Sequence, residues 1–173
     1  MTCCTSRPRR TRATGSLEAP GQLGIDEGVG GRATYVLAHA EKLGIPLDVL
    51  HDKNVHIHVP AGAVPKDGPS AGVTMTTTLA SLLSGRLVRD DVAMTGEATL
   101  RGRVLPVGGI QSKVLAAHRH GLGGTVILPK RNAQDLDDVP QEIRDEMTFV
   151  PVETMDEVLA TALVDAERAS VAA

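Results

Sequence analysis

The stretch Pro65-Lys66-Asp67-Gly68-Pro69-Ser70-Ala71-Gly72 separates two periodic segments of the sequence. Before it, residues 54–59 alternate between apolar and polar side chains, which is typical of a strand. After it, residues 70–84 carry apolar side chains at helical spacing until Gly85 ends the run. Because the prolines and glycine of the stretch predict a rigid turn, we expect strand, loop and helix, with Ser70 in the first helical turn.

The rest of the chain continues this alternation of helical and extended patterns. No repeat or low-complexity linker follows Gly31. The pattern predicts a single α/β (α+β) domain. The remaining predicted elements are a helix (33–43), two strands joined as a hairpin (92–97 and 103–107), an amphipathic helix (108–120), a buried strand (125–128), short helical turns (135–147), a last strand (149–152) and a closing helix (155–168).

Composition narrows the class of partner. The chain has 173 residues, is 42% hydrophobic and carries a formal charge of −3, so it has enough apolar material for a core and no basic excess to attract nucleic acid or an anionic membrane. No apolar run approaches the roughly 20 residues of a membrane helix. The two cysteines, Cys3 and Cys4, are adjacent and cannot form a secreted-type disulfide framework. We therefore expect a cytoplasmic protein.

The predicted organisation is one domain with short ends. Residues 1–20 are rich in Arg, Thr and Ser, and we expect them to be disordered. A basic arm for an acidic partner is the alternative interpretation of this segment. The domain itself is expected over residues 21–168, and residues 169–173 form a tail.

Ser70 is the candidate nucleophile. Backbone N–H groups at a helix N-terminus are unpaired and can stabilise the oxyanion of a tetrahedral intermediate. The alternative is a structural one, in which the Ser70 hydroxyl serves as the helix N-cap. None of the six histidines lies in a recognisable triad setting that would supply its base.

Lys113 is the candidate base. Its neighbours at i−4, i−3, i+3 and i+4 on the predicted helix are apolar or small, so the amine must either reach water or be partly buried. Burial lowers the pKa of a lysine because it desolvates the ammonium, and a neutral lysine can accept a proton. Most helical lysines are solvated, which is the alternative here.

Two segments make the sequence resemble a known family. Residues 65–72 are similar to the nucleophile signature of Lon proteases, and Gly108-Gly109-Ile110-Gln111-Ser112-Lys113 is similar to their lysine signature. Residues 93–102, between them, also resemble the family, and the likeness runs from about Tyr35 to Leu163. It implies a Lon-type protease domain with ribosomal protein S5 domain 2-like architecture.

The resemblance also implies roles for individual residues. Ser70 would attack the peptide carbonyl, with its backbone N–H as the first oxyanion donor, and Lys113 would act as base and then as acid. Thr95 would orient the lysine amine, while Asp67 and Gly68 would shape the turn on the substrate side. Substrates would be peptides or unfolded proteins, and the family assembles as hexamers.

Two features depart from the family. The sequence contains no G-x-x-x-x-G-K-[ST] phosphate loop, so we expect no cofactor in this chain and ATP only through an AAA+ module that would act in trans. Residues 25–31 carry three glycines where the family has a helix. An inactive or truncated fragment, or a non-catalytic binding or assembly domain, therefore stays open as an alternative.

Other kinds of site find less support. His56 and His58 share one strand face, but no third ligand stands at metal-site spacing. The family resemblance implies that His58 and Glu97 form part of the polar surround of the site. An ordinary structural role on a strand face is the equal alternative for both. The Ser-x-x-Lys motif of penicillin-binding enzymes is absent at Ser70. The acidic residues near Pro140, namely Asp135, Asp137 and Asp138, are expected to form a solvated loop.

Overall fold

The computed structural model of the chain describes residues 17–18, 34–45, 55–56, 69–122 and 124–164. It contains two 3-10 segments, the serine turn (Pro69–Ala71) and the 3-10 helix (Lys130–Asp138). The mixture of helices and a parallel sheet confirms the predicted α/β (α+β) class. In chain order the elements are β1 (Leu17–Glu18), α1 (residues 34–38), β2 (Val55–His56), α2 (Gly72–Ser84), β3 (Val92–Met94), β4 (Glu97–Ala98), β5 (Val104–Leu105), α3 (Ile110–Arg119), β6 (Thr125–Pro129), α4 (Gln141–Glu146), β7 (Thr148–Val152) and α5 (Met155–Ala162).

A three-stranded parallel sheet organises this part of the molecule. Its strand order is β3, β6, β7, with Ala93 opposite Val126 and Val126 opposite Phe149. Every residue of β6 is buried, as the apolar run predicted. Since the three strands run in one direction, their carboxyl ends meet at a single edge of the sheet. In open parallel sheets this is the edge where ligand sites are found.

Apolar cores cover both faces of the sheet. Ile127 points into a core built with α2 and α5, where Leu79 and Val158 are fully buried. Val126 and Leu128 point the other way, into a second core that contains the apolar side of α3. This alternation follows from the two-residue period of a strand, and it fixes α2 and α3 on opposite faces.

The predicted hairpin forms, but the single strand predicted over residues 92–97 is wrong. The chain leaves the parallel sheet after Met94, and β4 pairs antiparallel with β5, with Glu97 opposite Leu105. The break falls at Gly96, whose φ of 150° is open to few other residues. One chain segment therefore serves two sheets, with Thr95 and Gly96 between them.

Helix ends differ from the sequence pattern at two places. The helix predicted over residues 33–43 is helical at 34–38 and continues as turns to residue 44. The helix predicted over 155–168 ends at Ala162, because Leu163 forms an isolated bridge with Val88. By contrast, α2 ends at the expected Gly85, which is left-handed.

Several predictions concern residues outside the described ranges. Within the segment 1–20, only Leu17–Glu18 is described, and it pairs in parallel with Val55–His56. Residues 25–31 and 169–173 lie outside, so the domain bounds 21–168 stay a prediction. Among the helices of the described ranges, none combines the length and apolarity that crossing a bilayer requires.

Candidate functional site

Ser70 lies in the middle of the serine turn and is half-buried. The α-helix proper begins two residues later, and its N-cap is Ala71, with no side-chain capping hydrogen bond. The structural alternative for Ser70, an N-cap hydroxyl, is therefore wrong. The 3-10 geometry moves the cap one residue onward, and the Ser70 hydroxyl is not used to satisfy the helix.

Thr95 and Gly96 hold the serine turn against the carboxyl end of β3. The Ser70 carbonyl accepts hydrogen bonds from Gly96 N at 3.1 Å and from Thr95 Oγ1 at 3.4 Å. Gly96 O accepts in turn from Val73 N at 3.1 Å, while Thr95 N donates to Ile127 O in β6. The serine turn is thus attached to the sheet through main-chain contacts, and Thr95 itself is buried.

Two glycines permit this close approach. A Cβ on Gly72 would lie 2.6 Å from Ala98 N, and a Cβ on Gly96 would lie 2.9 Å from Val73 Cγ2. Real Cβ atoms do not come so close to main-chain nitrogen. The start of α2 can therefore lie this near to β4 only without a side chain at Gly72.

We expect Gly72→Ala to destabilise the domain by about 1–3 kcal/mol, because either the backbone of β4 or the serine turn must move. Urea unfolding monitored by circular dichroism measures the loss. Gly108→Ala is the matched control for stability, since a Cβ there meets nothing within 4 Å. Equal unfolding free energies for Gly72→Ala and Gly108→Ala would contradict the close packing of Gly72 against β4.

Lys113 lies one turn into α3, next to the glycine pair that begins the helix. Gly109 is the N-cap in a left-handed conformation with φ 70°, and its carbonyl accepts Lys113 N at 3.2 Å. The Lys113 amine donates from Nζ to Gly108 O at 2.7 Å. Backbone and side chain of Lys113 are therefore both attached to this one turn.

Partial burial changes the acidity of Lys113. Its helix neighbours Ile110, Val114 and Ala117 are packed into the core on the α3 side of the sheet. Burial among them lowers the pKa of Lys113, because the ammonium loses hydration. The direction agrees with the expectation from the sequence, and it favours the neutral amine that a base requires.

The lowered pKa predicts how stability depends on pH. In the unfolded chain a lysine binds its proton up to about pH 10.4, whereas folded Lys113 loses it earlier. Between the two pKa values the unfolded state holds more protons, so the contribution of Lys113 to stability rises with pH in that window. We expect the free energy of unfolding of the wild type, minus that of Lys113→Met, to increase over this range. Denaturant titrations at a series of pH values measure it, and a constant or falling difference would contradict burial of the charge.

A buried asparagine attaches the lysine turn, Gly108–Gly109, to the carboxyl edge of the parallel sheet. Asn132 follows the carboxyl end of β6; its Oδ1 accepts from Val107 N at 3.0 Å, and its Nδ2 donates to Val107 O at 2.9 Å. Val107 directly precedes Gly108. Ser70 is held at the carboxyl end of β3, so the two candidate catalytic residues belong to turns anchored at one edge of the sheet.

The geometry of the two side chains is not yet that of a proton-transfer pair. In the described part of the chain, no hydrogen bond joins Ser70 to Lys113; the amine is occupied by Gly108 O instead. The Thr95 hydroxyl donates to Ser70 rather than to Lys113. The dyad, and the role of Thr95 toward the lysine, stay predictions, as do the roles of Asp67 and Gly68, which lie outside the described residues.

The acidic residues after β6 and the histidines are the other candidates for a functional role. The loop predicted at Asp135, Asp137 and Asp138 is wrong, because these residues belong to the 3-10 helix and Asp135 Oδ2 accepts from Asn132 at 2.6 Å. Their predicted solvation is confirmed for Asp137 and Asp138, which are exposed. His58 lies outside the described ranges. Within those ranges, no three His, Cys, Asp or Glu side chains are grouped so as to hold a metal ion.

The contribution of Asn132 was not predicted from the sequence. It is 5% exposed, although it lies two residues after Lys130 in a strongly polar run. A usable signal existed: Asn132 comes shortly after a continuous apolar strand, at the sheet edge where polar side chains gather in parallel folds. The composition of the segment favours an exposed position for Asn132, because five of the nine residues from Lys130 to Asp138 are charged.

Comparison with known proteins gives the same family by the family model and by individual relatives. The family model of the Lon protease (S16) C-terminal proteolytic domain matches residues 7–165. The chain is similar to Lon protease of Chloroflexus aurantiacus, with 60% identity over 150 residues, 86% of this chain and 18% of that protein. It is also 63% identical over 130 residues to Lon protease of Frankia alni, covering 75% of this chain and 15% of that protein. With Lon protease of Mycolicibacterium smegmatis it shares 52% identity over 165 residues, 94% of this chain and 21% of that protein. The chain spans about a fifth of the length of these relatives.

Proposed function

The chain belongs to the family of Lon protease C-terminal proteolytic domains, and from this premise we propose that it is a serine endopeptidase in which Ser70 is the nucleophile and Lys113 the base. One observation supports this most strongly. The serine turn and the turn that begins the lysine helix are anchored separately to neighbouring strands at the same carboxyl edge. The turns that carry Ser70 and Lys113 thus lie at the edge where parallel sheets form sites, which supports the proposal.

In the proposed reaction, the neutral Lys113 amine leaves Gly108 O and accepts the proton of the Ser70 hydroxyl. Ser70 Oγ forms a bond to the carbonyl carbon of the substrate, whose π electrons move to the oxygen. The resulting ammonium of Lys113 then gives its proton to the departing amine as the C–N bond breaks. An acyl ester on Ser70 remains. Lys113, neutral again, takes a proton from water as the water oxygen bonds to the ester carbon. The bond from that carbon to Ser70 Oγ then breaks, the Lys113 ammonium returns its proton to Ser70 Oγ, and the peptide fragment leaves as its carboxylic acid.

The electrostatics of the site fit this sequence of steps. The Ser70 N–H, in the middle of the serine turn and just before α2, is the proposed first donor to the oxyanion. The lowered pKa of Lys113, caused by burial, raises the fraction of neutral amine at a given pH. Thr95 and Gly96 hold the Ser70 carbonyl, which limits reorientation of the serine during attack.

The proposed substrates are extended peptides and unfolded proteins. The free energy needed to unfold a stable domain is about 5–15 kcal/mol. A serine and a lysine cannot couple nucleotide hydrolysis to that unfolding. We propose that degradation of folded substrates requires an AAA+ module in addition to these 173 residues. Self-association into a ring, as the family resemblance implies, and a cytoplasmic location complete the proposal.

The test compares three substrates: a fluorogenic peptide, an unstructured protein and a stably folded protein, each with and without ATP. For the purified 173-residue chain we expect cleavage of the first two and none of the third, with no effect of ATP. Peptide cleavage that increases faster than linearly with protein concentration would support self-association. Failure to cleave any substrate at any concentration would favour the inert or non-catalytic alternatives, and ATP-stimulated loss of the folded protein would contradict the proposal.

A further inference from the structure

Asn132 makes an unusually complete set of hydrogen bonds for a residue of no assigned role. Its amide pairs with both main-chain groups of Val107, as a neighbouring strand would, and its second N–H donates to Asp135 Oδ2 at 2.6 Å. A reversed amide would present its NH₂ group to the Val107 N–H and its oxygen to the two acceptors. The contacts therefore fix one orientation of the side chain.

The residues that follow Val107 are those that hold Lys113. Gly108 O accepts the lysine amine, and the left-handed Gly109 begins its helix. Both glycines are exposed, and a Cβ on either would meet nothing within 4 Å, so packing does not fix this turn. Glycine has no side chain that could restrain the turn by packing. The restraint comes instead from Val107, directly before the glycines, whose N–H and carbonyl are both bonded to Asn132.

We propose that Asn132 is a positioning residue for Lys113: by clamping both main-chain groups of Val107, it fixes the Gly108–Gly109 turn and so the point from which the lysine amine reaches the serine. Asp135 assists by orienting the amide. The inference rests on the proposed function for its catalytic consequence, whereas the geometric link from Asn132 to Lys113 does not depend on it.

Asn132 does not change the pKa of Lys113 through a charge. The side chain is neutral, and desolvation is the only cause of the lowered pKa of Lys113 among the described residues. The other charged or titratable groups on α3 and on the elements packed near it are as follows: His118 and Arg119 on α3, Lys130, Arg131, Asp135, Asp137 and Asp138 on the 3-10 helix, and Glu142, Arg144, Asp145 and Glu146 on α4. None of them contributes to that shift. Loss of the clamp should therefore be visible as renewed hydration of the lysine.

The test follows Lys113 directly. The chain has five lysines, so selective ¹³C labelling gives few signals, and Lys113→Arg assigns the relevant one. In Asn132→Ala we expect the Lys113 titration to move upward toward the ordinary lysine value of about 10.4. Peptide kcat at neutral pH should fall on the order of 10²-fold with little change in KM, and the deficit should shrink as pH rises.

Two further variants make the result decisive. Asn132→Ser keeps a neutral polar group in the buried position but cannot pair with both groups of Val107, so it serves if the alanine variant does not fold. Val158→Ala removes fully buried atoms on the opposite face of the sheet and controls for general loss of stability; it should leave the Lys113 titration in place.

An unchanged titration in a folded Asn132 variant would overturn the inference, as would an equal shift in Val158→Ala. If the wild-type chain cleaves no peptide, the proposed function fails by itself. The lysine titration still decides whether Asn132 positions Lys113.

Discussion

Ser70→Ala is expected to lower kcat for peptide cleavage by about 10⁴-fold or more, while the domain stays folded. The reason is chemical, because without the hydroxyl no acyl intermediate forms and only weak uncatalysed or background hydrolysis remains. The structure indicates little structural cost: Ser70 is half-buried, and its contacts to Thr95 and Gly96 use the main-chain carbonyl. Steady-state kinetics with a fluorogenic peptide, together with thermal unfolding, measures both quantities.

The matched control is Ser84→Ala, at the other end of α2. Its hydroxyl accepts a hydrogen bond from Arg86 N at the helix end, far along the chain from the serine turn. We expect activity near that of the wild type. Substantial turnover by folded Ser70→Ala, or equal losses in the two variants, would exclude Ser70 as the nucleophile.

Lys113→Arg is expected to be as severely impaired as Ser70→Ala, even though it keeps a positive charge. A guanidinium has a pKa above about 12 and cannot take the serine proton at any usable pH. In the wild type, activity should rise with pH as Lys113 is deprotonated, with the midpoint below that of an ordinary lysine because burial lowers its pKa. The variant should show no such rise.

Lys42→Arg is the control for the lysine substitution. Lys42 is an exposed lysine paired with Asp156 at 2.6 Å, and arginine can replace it in that ion pair. We expect its pH profile to match the wild type. A wild-type profile that is flat from weakly acidic to alkaline pH, or a fully active Lys113→Arg, would mean that another group acts as base.

Local patterns were sufficient to predict most elements that surround the site. The helical segment near Ser70, the end of α2 at Gly85 and the buried β6 all follow from turn chemistry and from hydrophobic periodicity, although α2 itself begins only at Gly72. The β4–β5 hairpin was also predictable, since its turn contains Gly102. These features depend on residues close together in the chain.

The features that the sequence did not predict depend on contacts between segments that are distant in the chain. The predicted strand breaks at Gly96, where a Cβ would meet Val73, Val104 and Pro129, and none of these is its neighbour in sequence. Asn132 is buried because it meets Val107, 25 residues away. Periodicity carries no information on such pairings, so both the division of the strand and the clamp on the lysine turn required the structure.

The Ser70/Lys113 pair is predicted from the resemblance to a family. The fold anchors the turns of both residues at one sheet edge, but no hydrogen bond of the described ranges joins the two side chains. The sheet places both anchoring points at one edge, yet Lys113 donates to Gly108 O. A local pattern could not have predicted this resting contact, because it depends on the rotamer that the lysine adopts. The pair therefore has to be tested by its reactivity.

The most direct measurement is the rate at which a fluorophosphonate probe labels Ser70, followed across pH in the wild type and in Lys113→Arg, with peptide mass spectrometry to locate the adduct. We predict labelling at Ser70 in the wild type, with a rate that increases through the lowered lysine titration. In Lys113→Arg the same serine should react at least about 10²-fold more slowly at every pH. Labelling of another residue, or equal rates at Ser70 in the two proteins, would contradict the assignment of Ser70 and Lys113 as nucleophile and base.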